Sequence, residues 1–304
     1  MMKLGLVSAI LPDSSFEEVF DFCAETGFEG VEVCCWPKGK AQRRYAGVTH
    51  IDLNELTSEK QNHYQKYAEQ KGVGISSLGY YPNALSADAE EANVAIAHIT
   101  KLLKTSADMG IGMVTTFIGR DPVKDIKDSL DAFEKVWTPL VKLAEEKKVK
   151  VAIENCPMLF TRDEWPGGKN LMAAPYLWKE IFSRIPSDHF GLNYDPSHLY
   201  LIGANHVQPI YDFAEKIFHV HFKDLRIDPV KVNLYGRFAY PALWHSPKIP
   251  GLGEIDFGAM ISALNDIRFK GYACLEIEDK TFESNSGDIK TAIKQSYRYL
   301  RQYL

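Results

Sequence analysis

The chain of 304 residues contains no apolar run approaching the ~20 residues that a membrane helix needs, so no spanning helix is expected. It also lacks an excess of positive charge. Lys and Arg number 35 against 40 Asp and Glu, a formal charge of -5, which supplies no general attraction to phosphate backbones or anionic lipid. Neither nucleic acid nor a membrane is an expected partner. Cysteine is scarce: Cys23, Cys34, Cys35, Cys156 and Cys274 are odd in number and show no C-x-x-C spacing. That argues against a disulfide framework or a cysteine-rich zinc site, and it suits a reducing, cytoplasmic compartment. No G-x-G-x-x-G follows the first apolar run, which removes the usual support for a dinucleotide fold. The opening MMKLGLVSAILP lacks a small-residue cleavage site and reads as a strand rather than a leader.

What is present is a regular alternation of short β-rich runs with longer amphipathic ones. Eight strands are predicted, starting near Lys3, Gly30, Val73, Met113, Val149, Phe190, Lys216 and Tyr272. Helix signals lie between them: Ser14 with Glu17 as a capping box ended by Gly27, Ser58 with Gln61 ended by Gly72, and a run from Ser86 to Gly110. Eight such units predict an α/β protein of the closed (β/α)8 TIM-barrel type, in one domain over residues 1–304. An open doubly wound sheet is the alternative. Three long connections follow strands, about Trp36 to Thr57, Met158 to Pro175 and Leu225 to Ile255, so in a barrel they crowd the C-terminal face where active sites are built.

Side chains of one parity on a barrel strand face the axis, and the other parity packs under the helices. On the last four strands the apolar parity is Val151 and Ile153, Leu192 and Tyr194, Val220 and Phe222, and Leu275 and Ile277. The other parity brings Glu154, Asp195, His221 and Glu276 to one rim, with Lys223 and Glu278 beyond them. Three converging carboxylates repel one another and lose hydration unless a cation joins them. Glu154, Asp195, His221 and Glu276 are therefore the expected ligands of one divalent metal. The oxygen-rich set with one nitrogen suits Mn2+ first, then Mg2+ or Co2+, with Zn2+ compatible. The competing reading is four separate polar residues in salt bridges.

The strings AIENCP, NYDPSH, HVHFKD, PGLGEIDF and LEIED, in this order, resemble the sugar phosphate isomerase/epimerase family of xylose isomerase-like TIM barrels. The resemblance runs from the first strand to about Asp279 and the closing helix. It implies the same four metal ligands, a substrate-facing His198, and two metal-bound glutamates flanking the reacting carbon. Phe222-Lys223-Asp224 stands where a narrow epimerase signature would lie, and that version is closer to the inosose dehydratase branch.

A metal on the carbonyl and neighbouring hydroxyl of a keto-sugar lowers the barrier to removing an adjacent C–H proton. Glu154 and Glu276 are the expected acid/base pair, giving isomerisation or epimerisation of a sugar or cyclitol. Loss of a β-hydroxyl instead gives a dehydratase. Lys223 and His198 are expected to orient substrate oxygens. Further substrate-binding candidates are His50 in the second loop, Glu32 on the second strand, Trp165 as a stacking face and Arg226 as an anion partner; each also has a plain packing or salt-bridge reading. A nuclease resembling endonuclease IV would need further His ligands on the early strands, which VGISSLGY does not offer. A non-catalytic sugar-binding barrel would not require three converging carboxylates. A small-molecule substrate is the expected partner, and a homo-oligomer is compatible with the sequence.

Overall fold

The computed structural model describes residues 1–38, 45–159 and 167–304. Eight parallel strands close into a barrel: β1 (Lys3–Val7), β2 (Gly30–Cys34), β3 (Gly74–Gly79), β4 (Met113–Thr116), β5 (Lys150–Glu154), β6 (Phe190–Tyr194), β7 (Ile217–Phe222) and β10 (Tyr272–Leu275). The last pairs with β1 from Lys3↔Tyr272 to Leu6↔Leu275, so the barrel has no open edge. All eight predicted strands are in this sheet. Two further strands, β8 (Asp224–Ile227) and β9 (His245–Lys248), form an antiparallel hairpin outside the barrel. They occupy the connection read from sequence as a long loop.

The outer layer is made of helices whose apolar faces cover the outward strand parity. They include α1 (Phe16–Thr26), α2 (Ser58–Lys71), α3 (Ala89–Asp108), α4 (Ile126–Lys147), α5 (Pro175–Arg184), α6 (Pro196–Leu201) and α7 (Gln208–Asp212), then α9 (Phe257–Asp266) and α10 (Ser286–Arg301), whereas α8 (Pro229–Tyr235), between β8 and β9, buries no residue. Val151, Ile153, Leu192, Tyr194, Val220, Phe222 and Leu275 are fully buried in this apolar shell, as the parity reading expects. No helix among the described residues is long and apolar enough to cross a membrane.

Three helix starts differ from the sequence reading by one or two residues; α2 is capped by Thr57, whose Oγ1 accepts from Lys60 N at 3.3 Å, not by Ser58 with Gln61. The capping box of α1 is Ser15 with Glu18, not Ser14 with Glu17: Ser15 Oγ accepts from Glu18 N at 3.2 Å and Glu18 accepts from Ser15 N at 2.8 Å. Both pairs fit the S-x-x-E pattern, and burial of Phe16, Val19, Phe20 and Cys23 selects the phase. Glu17 is left outside the box and meets His63 at 2.7 Å. Helix α3 is capped by Asp88 rather than Ser86, because the Asp88 carboxylate accepts two first-turn N–H groups, from Glu90 at 2.8 Å and Glu91 at 3.2 Å.

The barrel interior is polar at mid-height, where Ser76, His219, Asn193 and Cys274 meet from four strands. His219 lies 3.2 Å from Ser76 Oγ through Nε2 and 3.0 Å from Asn193 Oδ1 through Nδ1. Burial pushes its imidazole down to about 4, so it sits there neutral. This hydrogen-bonded layer is the floor on which the mouth residues stand.

Candidate metal centre

Each residue at the mouth is placed by the end of its own strand. Glu154 closes β5. Asp195 follows β6 and caps α6: its Oδ1 accepts from Ser197 N and Ser197 Oγ, both at 2.7 Å, which leaves Oδ2 beside His198 Nε2 at 3.1 Å. Asn155 clamps the same residue from the neighbouring strand end. Its Nδ2 donates to Asp195 O at 2.9 Å and its Oδ1 accepts from Asp195 N at 2.7 Å. His221 lies on β7, and Glu276 follows β10 with its N–H donated to Phe222 O at 3.1 Å.

One ligand-type atom from each of Glu154, Asp195, His221 and Glu276 lies within 4.8 Å of the others, and all four residues are buried. A shell with bonds of ~2.1 Å spaces its donor atoms about 3 to 4 Å apart, so the cluster needs only a small contraction to hold an ion. Three observations fit a cation. Asp195 Oδ2 and Glu276 Oε2 are buried without a hydrogen-bond donor in acceptable geometry, although imidazole nitrogens lie near both. His221 Nδ1 points into the group, 3.4 Å from Glu154 Oε1 and 3.1 Å from Glu276 Oε2. Glu32, Glu154, Asp195, Glu276 and Glu278 are five formal negative charges against three basic groups, His198, His221 and Lys223, leaving room for added positive charge.

The electrostatics follow from this packing. Burial raises the Glu154 carboxyl, but hydrogen bonds from His198 and His221 outweigh it and hold the group well below the ordinary carboxylate range. Burial likewise works against a proton on His221, yet Glu32, Glu154 and Glu276 together hold its imidazole well above its usual value. His198, 3.1 Å from Asp195 Oδ2 and 3.3 Å from Glu154 Oε1, is raised in the same way, chiefly by Asp195 acting against burial. Lys223 bridges Glu276 at 3.0 Å and Glu278 at 3.1 Å, and those carboxylates keep it charged despite burial.

Above the cluster is a chamber that opens to solvent. Val7, Ala9, Trp36, Tyr45, Tyr81 and Phe117 form much of its wall, and Glu154, His221 and Glu276 form its base. Cys156, Lys223 and Glu278 line both this chamber and a wider recess that reaches His198, His245 and Lys248. His198 and Lys223 thus face space a substrate can occupy. The other substrate candidates fall elsewhere. Glu32 is fully buried beneath His221 and is not part of the chamber wall. His50 is also buried, with Nε2 3.1 Å from Leu11 O, so it ties the second loop to the connection between β1 and α1. Arg226 is exposed on β8, where strand alternation turns it outward while Leu225 turns in. Trp165 lies outside the described residues. Sequence reasoning missed Tyr81, which shares the inward parity of Gly79 and Ser77, two and four residues earlier; that alternation was the available signal.

A model of xylose isomerase-like TIM barrels matches residues 20–303. The chain belongs to that family. Within the family, a Bacillus subtilis protein, YfiH, described only as uncharacterized, is 24% identical over 96% of this chain and 97% of its own length. An inosose dehydratase of Clostridium tetani is 27% identical, over only 36% of this chain and 37% of that protein. A crystal structure of the IolI protein with a bound zinc atom superposes with a TM-score of 0.73 at 20% identity, covering 100% of this chain and 99% of the other, a likeness of fold.

Proposed function

We propose that this xylose isomerase-like barrel is a metal-dependent isomerase or epimerase that moves a proton next to the carbonyl of a sugar or cyclitol. The observation that carries this reading is the convergence of Glu154, Asp195, His221 and Glu276 in one buried cluster, with Glu154, His221 and Glu276 at the base of a chamber. In this reading the four residues hold one divalent ion. The hard, oxygen-rich donors favour Mn2+, and zinc also fits, as it is the metal present in IolI. Such an ion polarises a carbonyl and a neighbouring hydroxyl and acidifies the adjacent C–H.

The protein groups do the rest. Glu154, held ionised by His198 and His221, is the base that takes the proton from carbon. Glu276 comes from a different strand, beyond Lys223, and returns a proton to the neighbouring position or the other face. Lys223 and His198 hold substrate oxygens in register, and the apolar wall of Trp36, Tyr81 and Phe117 limits water. A second reading, dehydration of an inosose-like ring, is favoured by Phe222-Lys223-Asp224 and by the partial match to inosose dehydratases. There the C–H proton and a β-hydroxyl leave together as water.

The test is exchange of deuterium from heavy water into a panel of keto-sugars and inososes. Glu154→Gln and Glu276→Gln should each lower exchange at the carbon beside the carbonyl by about 10²- to 10⁴-fold. Exchange that survives both substitutions removes these roles. Net loss of water from an inosose selects the dehydratase.

A further inference from the structure

We propose that Glu32 is a positioning residue that fixes the tautomer of His221, so that Nδ1, and not Nε2, is the nitrogen offered to the metal. This rests on the metal reading of the mouth cluster but not on any reaction. Glu32 lies on β2, on the far side of the barrel from the four clustered residues, and is wholly buried.

The directions of the hydrogen bonds around it allow one consistent assignment of protons. Tyr81 Oη donates to Glu32 Oε1 at 2.5 Å. Asn193 Nδ2 donates to Tyr81 Oη at 3.2 Å, while Asn193 Oδ1 accepts from His219 Nδ1 at 3.0 Å. His219 Nε2 is then the acceptor for Ser76 Oγ at 3.2 Å. The remaining carboxylate oxygen, Glu32 Oε2, is 2.9 Å from His221 Nε2. A carboxylate only accepts, so Nε2 must carry the proton; an unprotonated Nε2 would set lone pair against lone pair. Asn193 Nδ2 is also 3.0 Å from this nitrogen; one of its two hydrogens goes to Tyr81, and giving the other to Nε2 would leave the Glu32 carboxylate facing a nitrogen lone pair at 2.9 Å. The consequence is geometric: the Nδ1 lone pair is aimed at Glu154 and Glu276, where the ion would sit. A carboxylate behind a metal-binding imidazole both orients the ring and raises its basicity.

The neighbouring strand keeps room for this carboxylate. A Cβ added to Gly79 on β3 would lie 2.8 Å from Glu32 Oε1 and 3.3 Å from its Cγ. Glycine at this position lets the carboxylate sit behind His221. The alternative of a second metal held by Glu32, His219 and His221 is disfavoured, because both nitrogens of His219 are already engaged in the floor network.

In Glu32→Gln, the amide oxygen can keep the Tyr81 bond and the amide NH2 then faces His221 Nε2. That nitrogen becomes an acceptor, the ring proton moves to Nδ1, and the metal-facing lone pair is lost. The experiment uses the full chain stripped with a chelator and titrated with Zn2+ in competition with a chromophoric chelator. Zinc affinity should fall about 10- to 100-fold in Glu32→Gln, and Gly79→Ala, which leaves the carboxylate in place but crowds it, should weaken zinc as well. Long-range ¹H–¹⁵N spectra of the zinc-loaded wild type should show His221 metallated at Nδ1 with a proton on Nε2. Unchanged affinity in folded Glu32→Gln overturns the proposal, and so does zinc on Nε2. The spectrum of the wild type decides the matter even where the variant does not fold. Zinc binding of this kind in a protein that turns over no keto-sugar would remove the proposed reaction and leave Glu32 its role.

Discussion

Metal affinity should rise steeply with pH, because protons and metal compete for the same cluster. In the metal-free protein His221 and His198 both hold protons well above the ordinary imidazole value of 6.5, owing to the carboxylates that outweigh their burial. Nδ1 of His221 faces Glu154 and Glu276, so loading the ion there expels at least that proton. His198 leans on Asp195 Oδ2, which would turn to the ion, so a second proton is the upper limit. One released proton gives about a tenfold gain in affinity per pH unit, and two give about a hundredfold. Zn2+ or Mn2+ affinities measured by chelator competition between about pH 6 and pH 8 should therefore follow a slope between one and two, corrected for the chelator's own protonation. Titration calorimetry in buffers of different ionisation enthalpy counts the protons independently. A slope near zero, with no buffer dependence, would refute the reasoning. The same groups set the stability of the metal-free fold. Their folded pKa lies above the unfolded one, so the folded state binds more protons. Their stabilisation is complete below about pH 6.5 and is lost as pH rises through the folded values. Thermal melts of stripped protein should accordingly decline toward alkaline pH, and saturating metal should counteract that decline.

Two substitutions separate structural from site effects. Asp224 accepts from five backbone N–H groups, those of Leu225, Gly251, Gly253, Glu254 and Ile255, at 2.8 to 3.1 Å. Asp224→Asn would turn an NH2 toward Gly251 and Gly253, and urea denaturation should show a loss of about 3 kcal/mol. Zinc affinity should stay within about threefold of the wild type, since the residue lies outside the cluster; an unchanged urea midpoint would remove the anchoring role. Lys223→Met strips the buried carboxylate of Glu276 and the half-buried one of Glu278 of their cation, so the metal-free protein should lose about 3 to 5 kcal/mol. Zinc should then raise the melting temperature of the variant more than that of the wild type. Equal shifts would show that Lys223 does not balance the cluster's charge.

The eight strands and the four-residue rim were legible because both depend on local regularities. Alternation along β5, β6, β7 and β10 separates the buried apolar parity from the axial one, and the last axial residues of each strand reach the mouth even though the register pairs Glu154 with Asn193 and His221 with Cys274. Contacts across the axis were not legible in the same way. Glu32, Tyr81 and His221 come from different parts of the chain, and their meeting depends on strand stagger and on Gly79 leaving space, neither of which has a local signature. For that reason Glu32 read as a substrate contact and Tyr81 was not singled out. The phase of α1 was decided by burial of Phe16 and Val19, because two overlapping S-x-x-E patterns satisfy the cap equally well. The inward or outward aim of residues beyond the strands also belongs to tertiary structure: His50 is drawn down to Leu11 O, whereas Arg226 is turned to solvent by a hairpin that the sequence presented as a loop. What the sequence by itself determined is periodic and local, the strand count, the apolar shell and the identity of the rim residues. What only the tertiary structure decided is which of those groups face one another across the closed barrel, since closure brings residues distant in sequence within hydrogen-bonding reach.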